Sequence, residues 1–511
     1  MLKPAMGLGN LLPLLYLPFA FAQSLTQGLE SPTGYVPCDA LISAGFRDRI
    51  LTASSPEYES RIQSWWSANT RYHPWCLFQP QTTREVSLAI STLAKAGEGA
   101  GDWHIAIRSG GHGWPGSNNV VKGVTIDLGH MNNSWYDDGK KVASLEPGAK
   151  WRDIYANLLE KYNITVTGGR DGDVGVGGFL LGGGISYYTG TNGFGCDVVV
   201  NYELVLANGT IANANATHNV NLFKALKGGG PNFGIVTRFD VEAMPAVDLA
   251  YGQILTSMEH SDDVVQSLIA FTEKVEERPH DHMFVLYEHS PDINGSIILS
   301  VTTNTQGNMN TTSFDGFRSI PALSSSWEST SLAAAANASQ VTSGYSSASA
   351  TLTLHLTPSL LAYATTLHTR LTTRLTQLLG PTAFLASTIF QPMPTLYSTI
   401  SSQKGGSMLP PFRTNSIMWT GGVGVTGGGD AALAIAEAEL LSTTQRLEVR
   451  AREEGALEQL VYLNYAHPGQ DALGSYGAET VKFMKGVAGS VDPGAFWQER
   501  VPGGFKLGRV V

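Results

Sequence analysis

Apolar positions along the chain change their period several times, and each change marks an element. Thr82-x-x-Glu85 followed by Val86, Ala89, Ile90 and Leu93 joins a capping box to an apolar face at helical spacing, which predicts a helix. HIAIR (104–108) then reads as a strand that opens into IRSGGHG (107–113), where a histidine stands among glycines. GVTIDL (123–128) and KVASLEP (141–147) predict further strands, and Trp151, Ile154, Tyr155, Leu158, Leu159 and Tyr162 share one face of a helix. Beyond a second glycine-rich stretch, VVVNYELVLANGTI (198–211) predicts two strands about an Asn208-Gly209 turn. The helix NLFKALKG and the segment GGGPNFGIVTRFDVEA (228–243) follow.

From about residue 246 the texture changes. An amphipathic helix begins at Ser261, MFVLYEHS (283–290) and GSIILSVTTN (295–304) read as strands, and the Ser/Ala/Thr-rich segment 322–351 reads as a loop or mobile cover. Thr357-Pro358 starts another helix by a cap and a proline in the first turn. A long Ala/Glu/Leu-rich helix over 430–454 leads to LVYLNYAHPGQD (460–471), which alternates like a strand. The middle region has the pattern of a few-stranded antiparallel sheet with helices on one face, and no internal repeat is present.

With 511 residues, 42% hydrophobic and 15% charged, the chain can bury a large core and has the length of two or more domains. Its net charge of −10 and lack of a basic block argue against nucleic acid or an anionic membrane as partner and leave a small molecule. Residues 1–22 carry Lys3, the apolar run LLPLLYLPFAFA and small residues at its end, the pattern of a secretory signal peptide; the run is short for a membrane span and contains Pro13 and Pro18. Asn-x-Ser/Thr sequons at Asn132, Asn163, Asn208, Asn215, Asn294, Asn310 and Asn337 suit a glycosylated, secreted chain. Of three cysteines, Cys38 and Cys76 are the expected disulfide in an oxidising compartment, and Cys196, at the start of an apolar run, is expected as a buried free thiol.

Two glycine clusters, 107–113 and 168–186, exceed what strand turns need. Glycine allows a ligand to approach the backbone closely, and successive N–H groups form a concave anion site, so the pair suggests a cradle for a diphosphate. Neither contains the GxxxxGK[ST] pattern of a P-loop. The one GxGxxG match, Gly422-x-Gly424-x-x-Gly427, follows SIMWT and precedes a helix without the acidic residue of a dinucleotide fold; it reads as a Gly-rich loop capped by Asp430. His104, His112 and His130 have no metal-ligand spacing, so no metal site is expected.

IRSGGHG, GDVGVGGFLLGGGIS, NYELVLANGTI, GGPNFGIV, YLNYAHPGQD and PGGFKL, in this order, resemble the secreted flavin-linked oxidases of the berberine-bridge-enzyme-like group in the vanillyl-alcohol-oxidase superfamily. The resemblance implies an α+β chain with a split, two-subdomain FAD-binding domain of the PCMH type (37–245, completed by 455–511) and an inserted substrate domain over 246–454. It implies FAD contacts from Arg108, Ser109, Gly110, Gly111 and Gly113, from Val174, Gly175, Gly177, Gly178, Gly182, Gly183 and Gly184, and from Ile235, Val236 and Asn464. His112 matches the histidine that such enzymes join to the 8α carbon of the flavin, a role open to a neutral imidazole as nucleophile.

Many relatives form a second flavin bond through a cysteine in a CPTVGVGG-like motif, but here the frame reads DGDVGVGG with Asp171 in the cysteine position. The resemblance therefore implies FAD tethered once, through His112, with no cysteinyl link. Tyr465 of YLNY matches the family's catalytic base, though an alternating strand would turn Asn464 and Tyr465 to opposite faces. The expected reaction is proton abstraction by Tyr465 with hydride transfer to flavin N5 and reduction of O2 to H2O2. An alkaloid, polyketide or phenolic metabolite is the first expectation for substrate; a carbohydrate, or a flavin-binding glycoprotein without turnover, are the alternatives.

Overall fold

The computed structural model describes residues 32–97, 101–293 and 295–510. The expected signal peptide and the Asn294 sequon lie outside them. Three sheets organise the rest. The first contains β1 (Ile50–Leu51), β2 (Cys76–Phe78), β3 (His104–Arg108) and β4 (Gly123–Asp127) in the order β1-β2-β4-β3, with β2 and β3 parallel to β4. Every residue of β4 is buried, as expected for a parallel strand covered on both faces. The helix Thr83–Ala96 packs Val86, Ala89, Ile90 and Leu93 into the same core as Ile105, Val124 and Ile126. Its start is the predicted cap: Thr82 Oγ1 accepts from Glu85 N at 3.2 Å, and the Glu85 carboxylate accepts from Gln81 N at 2.5 Å. A disulfide between Cys38 and Cys76 ties the N-terminal helix Val36–Leu41 to β2.

The second sheet holds β5 (Ser134–Asp137), β6 (Val142–Leu145), β7 (Ile164–Val166), β8 (Val199–Val205), β9 (Ile211–Asn215) and β10 (Ile235–Pro245). Their order is β5-β6-β10-β8-β9, with β7 also on β10. The C-terminal segment returns to these two sheets: Trp497 and Val501 enter the core of the first, while Leu460, Tyr462, Tyr476 and Met484 enter that of the second. The cores of these two sheets are thus completed by residues from both ends of the described chain.

The third sheet is antiparallel, in the order β14-β11-β13-β12-β16-β17-β15. Its strands are β11 (Leu249–Ser257), β12 (Asp281–Ser290), β13 (Gly295–Asn304), β14 (Ala322–Thr330), β15 (Ser346–His355), β16 (Phe384–Met393) and β17 (Ser416–Val425). Along β12, Met283, Val285 and Tyr287 join the core formed with the helices Ser261–Glu273, Pro358–Leu379 and Gly429–Glu453. Phe284, Leu286 and Glu288 alternate with them and face a cavity on the opposite side.

Three sequence expectations are corrected. The 322–351 segment is not a loop or cover: it supplies β14, the helix Leu332–Ala338 and the start of β15. Its Ser, Ala and Thr side chains carry no hydrophobic alternation, and ladder pairing with β11 and β17 organises it instead. The GxGxxG match is not a loop either, because Gly422 and Gly424 lie within β17; the following helix is preceded by Gly428 in the left-handed region rather than by a side-chain cap, with Asp430 in its first turn. Finally, LVYLNY is a turn, in which Tyr465 N and Ala466 N both donate to Tyr462 O at 3.0 Å. Cys196 is a fully buried free thiol, and burial pushes its ionisation up. Among the described sequons, Asn132, Asn163, Asn208, Asn310 and Asn337 are exposed, whereas Asn215 is half-buried and its amide donates to Asn201 Oδ1.

Candidate functional site

The two glycine clusters cross. A Cβ on Gly110 would stand 2.6 Å from Gly175 N and 2.7 Å from Gly175 Cα, and a Cβ on Gly175 would overlap the Gly110 amide and Ser109 Oγ. The backbones touch because neither residue has a side chain. Ser109 Oγ fastens the crossing, donating to Pro147 O at 2.5 Å and accepting from Gly177 N at 3.1 Å. Both loops line a cavity of about 1190 Å³, more than the roughly 300–1000 Å³ of a site for one drug-sized ligand and enough for a large cofactor with a substrate.

His112 projects from this crossing, after Gly111 at φ +80°. Its ring stacks on Trp66 at 4.5 Å between centroids and 14° between planes. The residue is only partly buried, but its Nε2 atom is wholly so and has no hydrogen-bond partner among the described residues; Asp171 Oδ2 lies 3.8 Å away. Burial pushes the imidazole below its ordinary ionisation range, against the opposing pull of Asp171 and Asp173. At neutral pH the ring is therefore uncharged, the state a nucleophile or ligand requires.

The turn at 462–466 resolves the tension over Asn464 and Tyr465, since both border the cavity. Asn464 Nδ2 donates to Phe179 O at 3.1 Å, and the amide stands so close to Gly182 that any Cβ there would overlap it. Tyr465 Oη accepts from Arg170 Nη2 at 3.2 Å, while the other arm of the guanidinium donates to Gln391 Oε1. The same guanidinium lies 4.7 Å from the centre of the Phe284 ring. Ser349 Oγ donates to Tyr465 O at 2.8 Å, fixing the turn to β15. Tyrosine, arginine and glutamine thus meet where the two ends of the chain and the middle sheet converge.

Comparison with known proteins decides the family. The FAD binding domain family matches residues 74–215. An FAD-dependent monooxygenase of Emericella nidulans, sdcF, is 30% identical over 479 residues, covering 92% of this chain and 98% of that protein. The chain belongs to the FAD-linked oxidoreductases. A berberine bridge enzyme variant solved with (S)-reticuline shares the fold at TM-score 0.74, with 17% identity over 92% of this chain and 99% of that one. A glucooligosaccharide oxidase from Acremonium strictum, described with 6-S-cysteinyl, 8α-N1-histidyl FAD, aligns at TM-score 0.68, with 17% identity over 90% and 97% of the chains.

As an FAD-linked oxidoreductase, the protein places most of the expected cofactor residues on one cavity. Ser109, Gly110, Gly111, His112, Gly113, Val174, Gly175, Gly177, Gly178, Gly182, Ile235, Val236, Asn464 and Tyr465 all border it. Arg108 does not. Its side chain is buried beneath the loop, with its guanidinium 3.5 Å from the centre of the Trp65 ring and donating to Ser64 O at 3.0 Å. Gly183 and Gly184 are also off the cavity wall, and Gly184 N donates to Tyr462 Oη at 2.7 Å. Arg170 and Gln391 also border the cavity, beside Tyr465, and were not singled out from the sequence. Arg170 directly precedes Asp171 in GGRDGD, but its partner is 295 positions away, a contact no local motif encodes.

Proposed function

We propose that this FAD-linked oxidoreductase is a secreted oxidase that holds its flavin by one covalent bond, from His112, and oxidises a small specialised metabolite of the alkaloid, polyketide or phenolic type. The observation that carries the reading is the crossing at Gly110 and Gly175, which places a neutral histidine at the wall of the cavity that also holds the Arg170–Tyr465 pair. When bound, FAD supplies the two-electron acceptor, with O2 as the terminal oxidant yielding H2O2. The residues fit that cofactor: the crossing leaves backbone bare of side chains, Gly178 faces open space, and the buried Nε2 of His112 lacks a partner among the described residues.

The chain's own residues divide the work. Ser109, Gly110, Gly175 and Gly177 shape the cradle, and Asn464 pins the second glycine loop to the C-terminal turn. Tyr465 takes the proton from substrate, with the Arg170 guanidinium supplying positive charge at the phenolic oxygen that holds it. Asp171 stands where a cysteinyl bond would be made in doubly linked relatives, which leaves His112 as the single tether. The wall formed by the third sheet sets aliphatic side chains, Leu286, Leu299, Val301, Leu385 and Ile389, among a few polar ones such as Gln253 and Gln391, which supports a metabolite with an apolar body.

Acid precipitation tests the tether. The wild-type pellet keeps the flavin colour and His112→Ala releases it to the supernatant; a colourless wild-type pellet beside a yellow supernatant would overturn the covalent reading. The reaction type is tested by equimolar H2O2 release against product, since an oxygen atom carried into product marks a monooxygenase, the activity in the name of the Emericella relative.

A further inference from the structure

One charged side chain on the cavity face of the third sheet has no role in the chemistry above. Glu288 follows Phe284 and Leu286 on the inward face of β12, and all three line the cavity. Its cross-strand neighbours on that face are Ile297 of β13 and Ser387 of β16. The ladder continues from Ser387 to Gly422 and from Gly422 to Ser349, whose hydroxyl holds the Tyr465 carbonyl. Ser387, Gly422 and Ser349 line the same cavity. One row of the sheet therefore runs from Glu288 to the Ser349 hydroxyl that holds the backbone of Tyr465, across three strand spacings, about 14 Å at roughly 4.8 Å each. Gly422 in the middle of the row is bare, so the row is a trough.

Glu288 has no hydrogen bond or ion pair from its side chain to any described residue. Arg170, a cavity cation beside the sheet, is committed to Gln391 and Tyr465 and lies over Phe284, two same-face positions away from Glu288 along β12. Apolar neighbours flank the carboxylate on the adjacent rows: Leu286 and Ile389 on one side, Leu385 on the other. Burial alone pushes its ionisation up, and no nearby cation opposes that shift. A half-buried carboxylate without a partner is costly, and a ligand cation returns the lost interaction more fully than a neutral donor does. The net charge of −10 draws cations toward the molecule in addition.

We infer that Glu288 is a substrate-binding carboxylate that receives the protonated amine of an otherwise apolar molecule, whose oxidised carbon sits at the Tyr465 end of the trough. The inference rests on the oxidase reading of the cavity and narrows its substrate to amine-bearing compounds. The bare backbone at Gly422 accommodates the body of the ligand, and the aliphatic rows on either side enclose it.

The test uses three probes of one skeleton, 4-phenylbutylamine, 4-phenylbutanol and 4-phenylbutyrate, titrated calorimetrically into the purified holoenzyme at neutral pH. The amine binds at least about tenfold more tightly than the alcohol, as a charge-assisted hydrogen bond requires, and the carboxylate binds most weakly. In Glu288→Gln the amine-to-alcohol ratio falls to within about threefold. Equal affinities for amine and alcohol in the wild type, or a ratio that survives Glu288→Gln, would overturn the assignment. The order of the three probes on the wild type decides the matter even if the variant does not fold. Calorimetry reports on the trough whether or not flavin is attached, so a protein lacking flavin would sink the oxidase reading while the probe order still judged Glu288.

Discussion

Gly175 and Gly178 lie three residues apart in one cluster, yet they meet different surroundings, and alanine at each site separates two reasons for glycine. At Gly175 the added methyl would lie 2.7 Å from Gly110 Cα and overlap Gly110 N and Ser109 Oγ. Carbon atoms in contact sit about 3.5–4.0 Å apart, so the loops must part by about 1 Å. Overpacking of that kind costs about 1–3 kcal/mol, and the two Ser109 hydrogen bonds strained by the movement add about 1 kcal/mol each. A loss of roughly 3 to 5 kcal/mol is expected for Gly175→Ala.

At Gly178 nothing lies within 4 Å, and the residue is inside the helix Val176–Leu181, where alanine gains about 0.5–1 kcal/mol over glycine. Gly178→Ala should therefore leave the flavin-free protein as stable or slightly more so, while its methyl enters the space meant for the cofactor and lowers flavin uptake. Both changes are made in His112→Ala, which removes the proposed tether, and urea midpoints are compared with the flavin-to-protein absorbance ratio after stripping and reconstitution. A Gly175→Ala protein with the parent's midpoint and full flavin content would refute the crossing as the basis of the cradle. So would a destabilised Gly178→Ala protein.

Two further outcomes follow from the geometry. Tyr465→Phe removes the hydroxyl held by Arg170 and should lower turnover by at least about tenfold with the flavin spectrum unchanged; undiminished turnover would remove Tyr465 from proton transfer. Lys506 is buried with its ammonium donating to Pro231 O at 2.9 Å, and burial, aided by Arg509, pushes its ionisation down to about 7. Against an unfolded value near 10.4, the native state holds fewer protons between about pH 7 and 10.4, so this group makes stability rise with pH there, by up to about 1.4 kcal/mol per unit. Lys506→Met should flatten the rise, most visibly as a gap in urea midpoints at pH 7 that narrows by pH 9; parallel curves would exclude Lys506 as its source.

Much of the architecture is written locally. The capping box at Thr82, the apolar faces of the helices and the period-two runs at 104–108, 283–290 and 295–304 each specify their element, because side-chain spacing alone decides which face is buried. The glycine clusters were legible because so much bare backbone has few uses besides close approach, whereas His112 stood out only through the family resemblance. Where polar small residues carry no period, as in β14 and β15, local pattern is silent, and strand pairing with distant neighbours decides the outcome.

The site belongs to that second class. Sequence could name Tyr465 and Asn464 but set them on opposite faces, and only the turn anchored by Ser349 and by Phe179 brings both to the cavity. Arg170 reaches Tyr465 across 295 positions, Gly110 meets Gly175 across 65, and Glu288 joins the trough through a ladder of strands far apart in the chain. A sequence determines the period, charge and conformational freedom of each residue, whereas the partners that turn a histidine, a tyrosine and a carboxylate into a site exist only once the backbone has closed.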